Sequence, residues 1–287
     1  MQPNYNQLTH DLLNNLSPIP LNYYVTPHQV TKSKCIFNPV LYDSMFYSLG
    51  KYILLLRLSF RRPEKFSVYW AEVMREMVSI GIGSLGIIAI ISVFIGAATT
   101  IQVAFQLSSP LVSMSIAGKI ARDSTILEFS PTISALVLAG RVGSSIASQI
   151  GTMRVTEQID ALEIMGVNAP GYLISPKIIA SMTMIPLLVI ISITLGITGG
   201  YIACVASGDI TPDDYLIGVR DGFDGLTIQV ALVKAIVFGF IIASICAYQG
   251  FYTSGGALEV GQSSTRGVVY SCVMILFADL VITRIML

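Results

Sequence analysis

No charged residue occurs between Glu76 and Lys119, and long apolar runs recur from there to the C-terminus. A crossing of the bilayer core needs about 20 apolar residues. The pattern predicts a first span over Ile80–Phe105, with an irregular continuation around Pro110, and a second over Ser130–Ile150 that contains Arg141. A third covers Ile178–Ala206, where Pro186 predicts a kink. The fourth, Ile228–Tyr252, is entered beside Lys234, whose stem is long enough to snorkel; the fifth, Val268–Met286, contains Asp279. Five spans is the preferred reading, and six would follow if the 106–128 stretch crossed again.

Two amphipathic pieces precede the spans. Phe46, Leu49, Ile53, Leu56 and Phe60 recur at helical spacing, and beyond Pro63 the residues Phe66, Trp70, Val73 and Met77 mark one face. Their apolar runs are too short and too charged to cross, so both are expected to lie in the interface. The expected organisation is a polar tail over 1–41, interfacial helices over 42–78 and a transmembrane domain over 79–287. The tail shows no basic-then-apolar leader, so no cleavable signal is expected.

The connectors carry the polar signals. Thr156 to Met165 reads as a short helix within 156–166, capped by Thr156, with Glu157 and Asp160 favoured by the dipole in its first turn. Gly166 supplies a stop, and Ile159, Leu162 and Met165 share a face. So short a helix is marginal alone in water, so that face must dock: in a groove of a cytoplasmic motor subunit, or on the chain's own spans. Residues 209–224 form an acidic loop holding Asp209, Asp213, Asp214, Asp221 and Asp224 against Arg220. Lys32, Lys34, Lys51, Arg57, Arg61, Arg62, Lys65 and Arg75 all precede the first span, which predicts a cytoplasmic N-terminus and 151–177 connector, with the acidic loop and C-terminus outside.

Composition narrows the chemistry. Of 287 residues 12% are charged and mean hydropathy is +0.72; soluble domains carry about 25% charged residues, so the chain reads as an all-α integral membrane protein. Zero formal net charge gives no reason to expect nucleic acid. His10 and His28 both lie in the tail, and Cys35, Cys204, Cys246 and Cys272 are scattered, so neither a metal site nor a catalytic triad is expected. Along the second span Gly140, Ser144 and Ser148 fall four apart, as do Gly143, Ala147 and Gly151, which reads as helix packing. Arg141 costs about 2.5–3.5 kcal/mol at a bilayer centre, so it should face a partner, Glu128 or Asp279, or a wet cavity. Gly256–Ser263 has P-loop spacing, but Gln262 stands where the essential Lys belongs.

Three stretches resemble the MlaE/YrbE family, the permeases of ABC-type lipid transporters that work with MCE proteins: IGIGSLGIIAIISVFIGAATTIQ, EFSPTISALVLAGRVGSSIASQIGTMRVTEQIDALEIMGVN and GFYTSGGALEVGQSSTRGVV. The resemblance covers roughly residues 42–287. It implies a homodimer of five-span subunits in the cytoplasmic (inner) membrane, with a cytoplasmic ABC ATPase beneath, an MCE-domain lipid-binding protein outside, and with or without a small regulatory subunit. It also implies that this chain binds no cofactor, ATP and Mg belonging to the ATPase. Glu157, Gln158, Ile159, Asp160 and Leu162 match the family's coupling helix, and Glu128 its acidic residue beside the lipid cavity. Ile101 and Phe105 are assigned to the cavity lining; Phe129-Ser130 departs from the family's usual Leu-Gly. The expected function is phospholipid movement between the membrane and the MCE protein. The alternative is an ion-coupled carrier with Arg141, Glu128 and Asp279 as its relay. A lipid enzyme would need a clustered nucleophile and base that the spans do not offer.

Overall fold

The computed structural model describes residues 39–60, 66–107, 114–208 and 210–286, and every regular element among them is a helix. The expected tail up to residue 38, with His10, His28, Cys35, Lys32 and Lys34, lies outside the described residues, as do Arg61, Arg62, Pro63, Lys65, Pro110 and Asp209. The chain divides into two compact units at 45/46, and the crossings all belong to the second, Phe46–Leu287.

Helix α1, Pro39–Ser59, leaves Leu49 and Ile53 exposed and buries Leu55. The Tyr52 hydroxyl donates to Ser244 Oγ at 2.8 Å, its ring meets Tyr248 edge-on, and Lys51 lies over the Tyr47 and Tyr252 rings. Helix α2, Phe66–Gln106, is continuous over 41 residues. The helix expected as a separate piece over 66–77 is therefore continuous with the first crossing helix. Nothing between Trp70 and Ile80 breaks a helix, and the charge on Glu76 is matched inside the protein rather than needing water. At 1.5 Å per residue α2 is about 60 Å long, roughly twice the bilayer core.

The second crossing is one composite path through α3 (Met114–Ser124), a π-helical segment (Thr125–Ile133), α4 (Ser134–Leu138), a second π-helical segment (Ala139–Gly143) and α5 (Ser144–Val155). It starts well before Ser130, because the described residues from Met114 onward belong to this crossing instead of making their own. Arg122 is tolerated there by its partners: it pairs with Asp123 at 2.8 Å and donates to Val219 O at 2.9 Å and Asp221 O at 2.8 Å, carbonyls at the end of a helix. After α6 (Gln158–Ile164) come α7 (Ala169–Ser207), α8 (Pro212–Arg220), α9 (Gly225–Phe251) and α10 (Ala257–Met286). Five of these paths are long and apolar enough to cross a membrane.

Helices α2 and α7 touch backbone to backbone. A Cβ on Gly96 would lie 1.9 Å from Gly196 O, and one on Gly199 2.3 Å from Val93 O. Small residues permit this approach in lipid, where packing rather than water exclusion holds helices together. At one end of the bundle α1, α6, the end of α9 and the start of α10 gather. Asn168 Nδ2 donates there to Leu58 O at 2.9 Å, and Arg154 lies over the Phe251 ring. At the other end α3 packs on α8, and the Tyr215 hydroxyl donates to Ile197 O at 3.1 Å.

Candidate functional site

At the α6 end, Thr156 does not cap α6. It closes α5, its hydroxyl donating back to Thr152 O at 2.8 Å, and Glu157 takes the cap position at φ 59°. Glu157 is the single non-glycine residue with positive φ among those described; a left-handed residue turns the chain sharply without a long loop. Gly166 at φ 80° ends α6 as expected, with Val167 N–H donating to Leu162 O and Gly166 N–H to Glu163 O. Ile159 is fully buried, and Leu162 packs on the core of the spans. Met165 does not share their face: with Ile164 it is exposed, at 69% and 87%. The apolar face of α6 is thus taken up by the chain itself. Arg154 on α5 pairs with Asp160, which ties α6 to the crossing before it.

Higher in the bundle, Glu128 and Asp279 both turn to Lys234, not to Arg141. Lys234 Nζ lies 3.1 Å from Glu128 Oε1 and 2.8 Å from Asp279 Oδ1, and the lysine is wholly buried. The Asp279 contact is one of charge: Oδ1 makes no directed hydrogen bond. The expected snorkelling of Lys234 therefore does not occur. Its third contact explains why. Lys234 Nζ donates to Leu127 O at 2.9 Å, the carbonyl four residues before Pro131, which lies inside the π-helical segment. A buried ammonium needs such acceptors in place of water. One lysine, two carboxylates and a backbone carbonyl thereby join the second, fourth and fifth crossings.

Arg141 stands apart, in the second π-helical segment. Among the described residues no carboxylate lies within ion-pair distance of it. It is exposed into a cleft of about 590 Å³ between the lower half of α2 and α5. Beside the cleft, Lys177 pairs with Glu76 and donates to Gln149, with Lys177 and Glu76 buried. Lys177 reads from sequence as a connector charge, yet it lies inside α7, one turn from where the hydropathy rises. The signal that could have found it is Glu76, the last charge before the first apolar run.

Ile101 and Phe105 lie on the outer side of α2 near its end, 45% and 82% exposed. The two small-residue faces of the second crossing differ. Gly143, Ala147 and Gly151 pack on α9 and α10: a Cβ on Gly143 would sit 2.7 Å from Cys246 Sγ. Gly140, by contrast, has nothing within 4 Å. At the P-loop look-alike, α10 begins at Ala257, and Glu259 Oε2 accepts from Gly256 N–H at 2.9 Å, so the helix start is capped from within.

Five crossings with their charges largely paired inside define a multi-pass membrane protein. The family profile of Permease MlaE matches residues 73–285, and the chain belongs to that family. A probable ABC transporter permease protein of Rickettsia bellii is 36% identical over 238 residues, 83% of this chain and 92% of its own. One from Synechocystis sp. is 36% identical over 213 residues, 74% of this chain and 81% of its own. Protein trigalactosyldiacylglycerol 1, chloroplastic, of Arabidopsis thaliana is 35% identical over 219 residues, 76% of this chain and 62% of its own. The chain is a permease subunit of an ABC transporter, a transport component and not an enzyme.

Proposed function

We propose that this permease moves phospholipid, or a related diacyl lipid, between the cytoplasmic membrane and an external MCE-domain protein. A separate ABC ATPase, holding ATP and Mg, drives the movement, with or without a small regulatory subunit. The permease works as a homodimer in the inner membrane, with α1 and α6 on the cytoplasmic side, and binds no cofactor itself. The observation that carries the reading is the lever: α6 is tied to α5 by Arg154 and Asp160, and α5 continues without a loop to Glu128. Force on the exposed edge of α6, at Glu157, Gln158, Ile164 and Met165, would thus reach the π-helical segment as a rigid displacement. Ile159 and Leu162 serve as the pivot inside the chain. A relative named for a galactolipid, itself a diacylglycerol, supports lipid as cargo. Ile101, Phe105 and Glu128 are assigned to the cavity from which the lipid leaves.

The test is reconstitution with the ATPase in liposomes and measurement of ATP-dependent phospholipid transfer to the MCE protein. Charge reversal at Glu157 and Asp160 should abolish transfer while the complex still assembles; undiminished transfer would remove the lever. The ion-coupled carrier is a second reading, because Arg141, Glu128 and Asp279 all carry charge within the crossings. It predicts transfer driven by an ion gradient with no ATPase present. Against it, the three do not form a chain of contacts: two are held by Lys234 and the third faces the cleft.

A further inference from the structure

The cleft at Arg141 is built differently from the packed bundle around it. Two helices each present a polar stripe to it at helical spacing: Glu72, Glu76 and Ser79 from α2, and Arg141, Ser145 and Gln149 from the second crossing. Its charges can be matched one by one. Arg75 is paired with Glu72 at 3.1 Å, and Glu76 with Lys177. Among the described residues Arg141 alone is left over, so the lining, taken together with Lys177, carries one net positive charge. The Arg141 guanidinium sits over Gly83, where a Cβ would come within 3.2 Å of Nη2; the missing side chain is what gives the guanidinium room. Ser84, fully buried and also lining the cleft, has a hydroxyl with no hydrogen-bond partner. A buried hydroxyl without a partner is uncommon and calls for a ligand or water. The π-helical turn at Ala139–Gly143 is a local departure of the kind found at functional sites.

We infer that this cleft is an anion site at the α6 end of the permease, taking a phosphate group through Arg141, with the hydroxyls of Ser79, Ser84 and Ser145 beside it. A guanidinium fork matches two phosphate oxygens at once, and about 590 Å³ is within the range of small-ligand pockets. The same chemistry is offered by a lipid headgroup and by free phosphate. As a headgroup site it rests on the lipid reading and adds to it a second station, at the opposite end of the crossings from Ile101 and Phe105. Lipid would then be held at Arg141 when the motor side of the bundle is open to it.

The experiment places a photoreactive amino acid at Ser145, and separately at Phe105, in the full chain in native membrane vesicles. Phospholipid adducts are read by mass spectrometry. Adducts are expected at Ser145, falling about tenfold in Arg141→Gln, since a lost charge-assisted contact is worth at least that. They should be partly retained in Arg141→Lys. Ser79→Leu, which narrows the cleft and leaves Arg141 in place, should lower them similarly and guards against a folding defect in the arginine variants. No adduct at Ser145, together with radiolabelled phosphate retained by the delipidated chain and lost in Arg141→Gln, assigns the site to free phosphate. Adducts at Phe105 with neither adduct nor phosphate at Ser145 overturn the inference and leave the transport reading standing. Absence of lipid at both positions, with no phosphate retained, overturns both. Adducts at Ser145 indifferent to Arg141→Gln and Ser79→Leu overturn the anion site.

Discussion

Lys234 and Arg141 are both cations within apolar crossings, and hydropathy alone treats them alike. The fold does not. Lys234 is sealed between three crossings against two carboxylates and a backbone carbonyl; Arg141 opens into a cleft whose carboxylates are taken by other cations. The difference separates two uses of charge in a membrane protein. A sealed cation fixes where helices meet, because removing it strands its partners in low dielectric. An open cation is held in reserve, because solvent or ligand meets its needs.

The largest expected effect tests the sealed side. Lys234→Met leaves two carboxylates without their cation and Leu127 O without a donor, and should cost about 3–5 kcal/mol, seen as a lower unfolding temperature and reduced yield in detergent. Adding Glu128→Gln and Asp279→Asn should return much of that loss. A single variant as stable as the parent would break the contrast between the two cations. Next, Lys177→Met strands buried Glu76 and should cost about 3 kcal/mol, by the same measurement, with Glu76→Gln in the same chain as the compensating change. Glu157→Gly should raise stability by about 1 kcal/mol, because glycine accepts a left-handed backbone without a Cβ penalty; chemical denaturation with equal slopes would show it. Arg141→Gln should move stability by no more than about 0.5 kcal/mol. A loss as large as that of Lys234→Met would mean that Arg141 is sealed too.

A further prediction concerns the α8 end. Burial pushes the Tyr215 hydroxyl up to about 12, above the usual phenol value of about 10. The folded state thus holds that proton more tightly than the unfolded chain. Its contribution is fully present below about pH 10 and is lost as pH rises towards 12. Melting temperature against pH should therefore fall less steeply between pH 10 and 12 in Tyr215→Phe than in the parent.

The crossings were readable because hydrophobicity is summed along the chain, and Gly166 because a helix stop is set by a residue's own backbone preference. Differences gather where a distant residue changed the cost of a local choice. Lys177 and Arg122 lie inside helices because Glu76 and the end of α8 meet their charges. Thr156 lost the cap because the chain turns at Glu157. Met165 left the apolar face because α6 ends at Ile164 and Met165 is its C-cap, at φ −73° and ψ 0°. Ile159 and Asp160 keep the short-helix setting expected of them, while Glu128 and Asp279 meet a cation other than Arg141.

By itself the sequence determined an all-helical membrane protein of five crossings, a short helix between the second and third, and, through three long motifs, its family. Which face of that helix is free, which lysine takes the two carboxylates, and which arginine is left over were decided only by the tertiary structure. Apolar runs specify themselves residue by residue, whereas a charge in low dielectric is specified by its partner. That partner is chosen in space, 106 residues away in the case of Lys234 and Glu128.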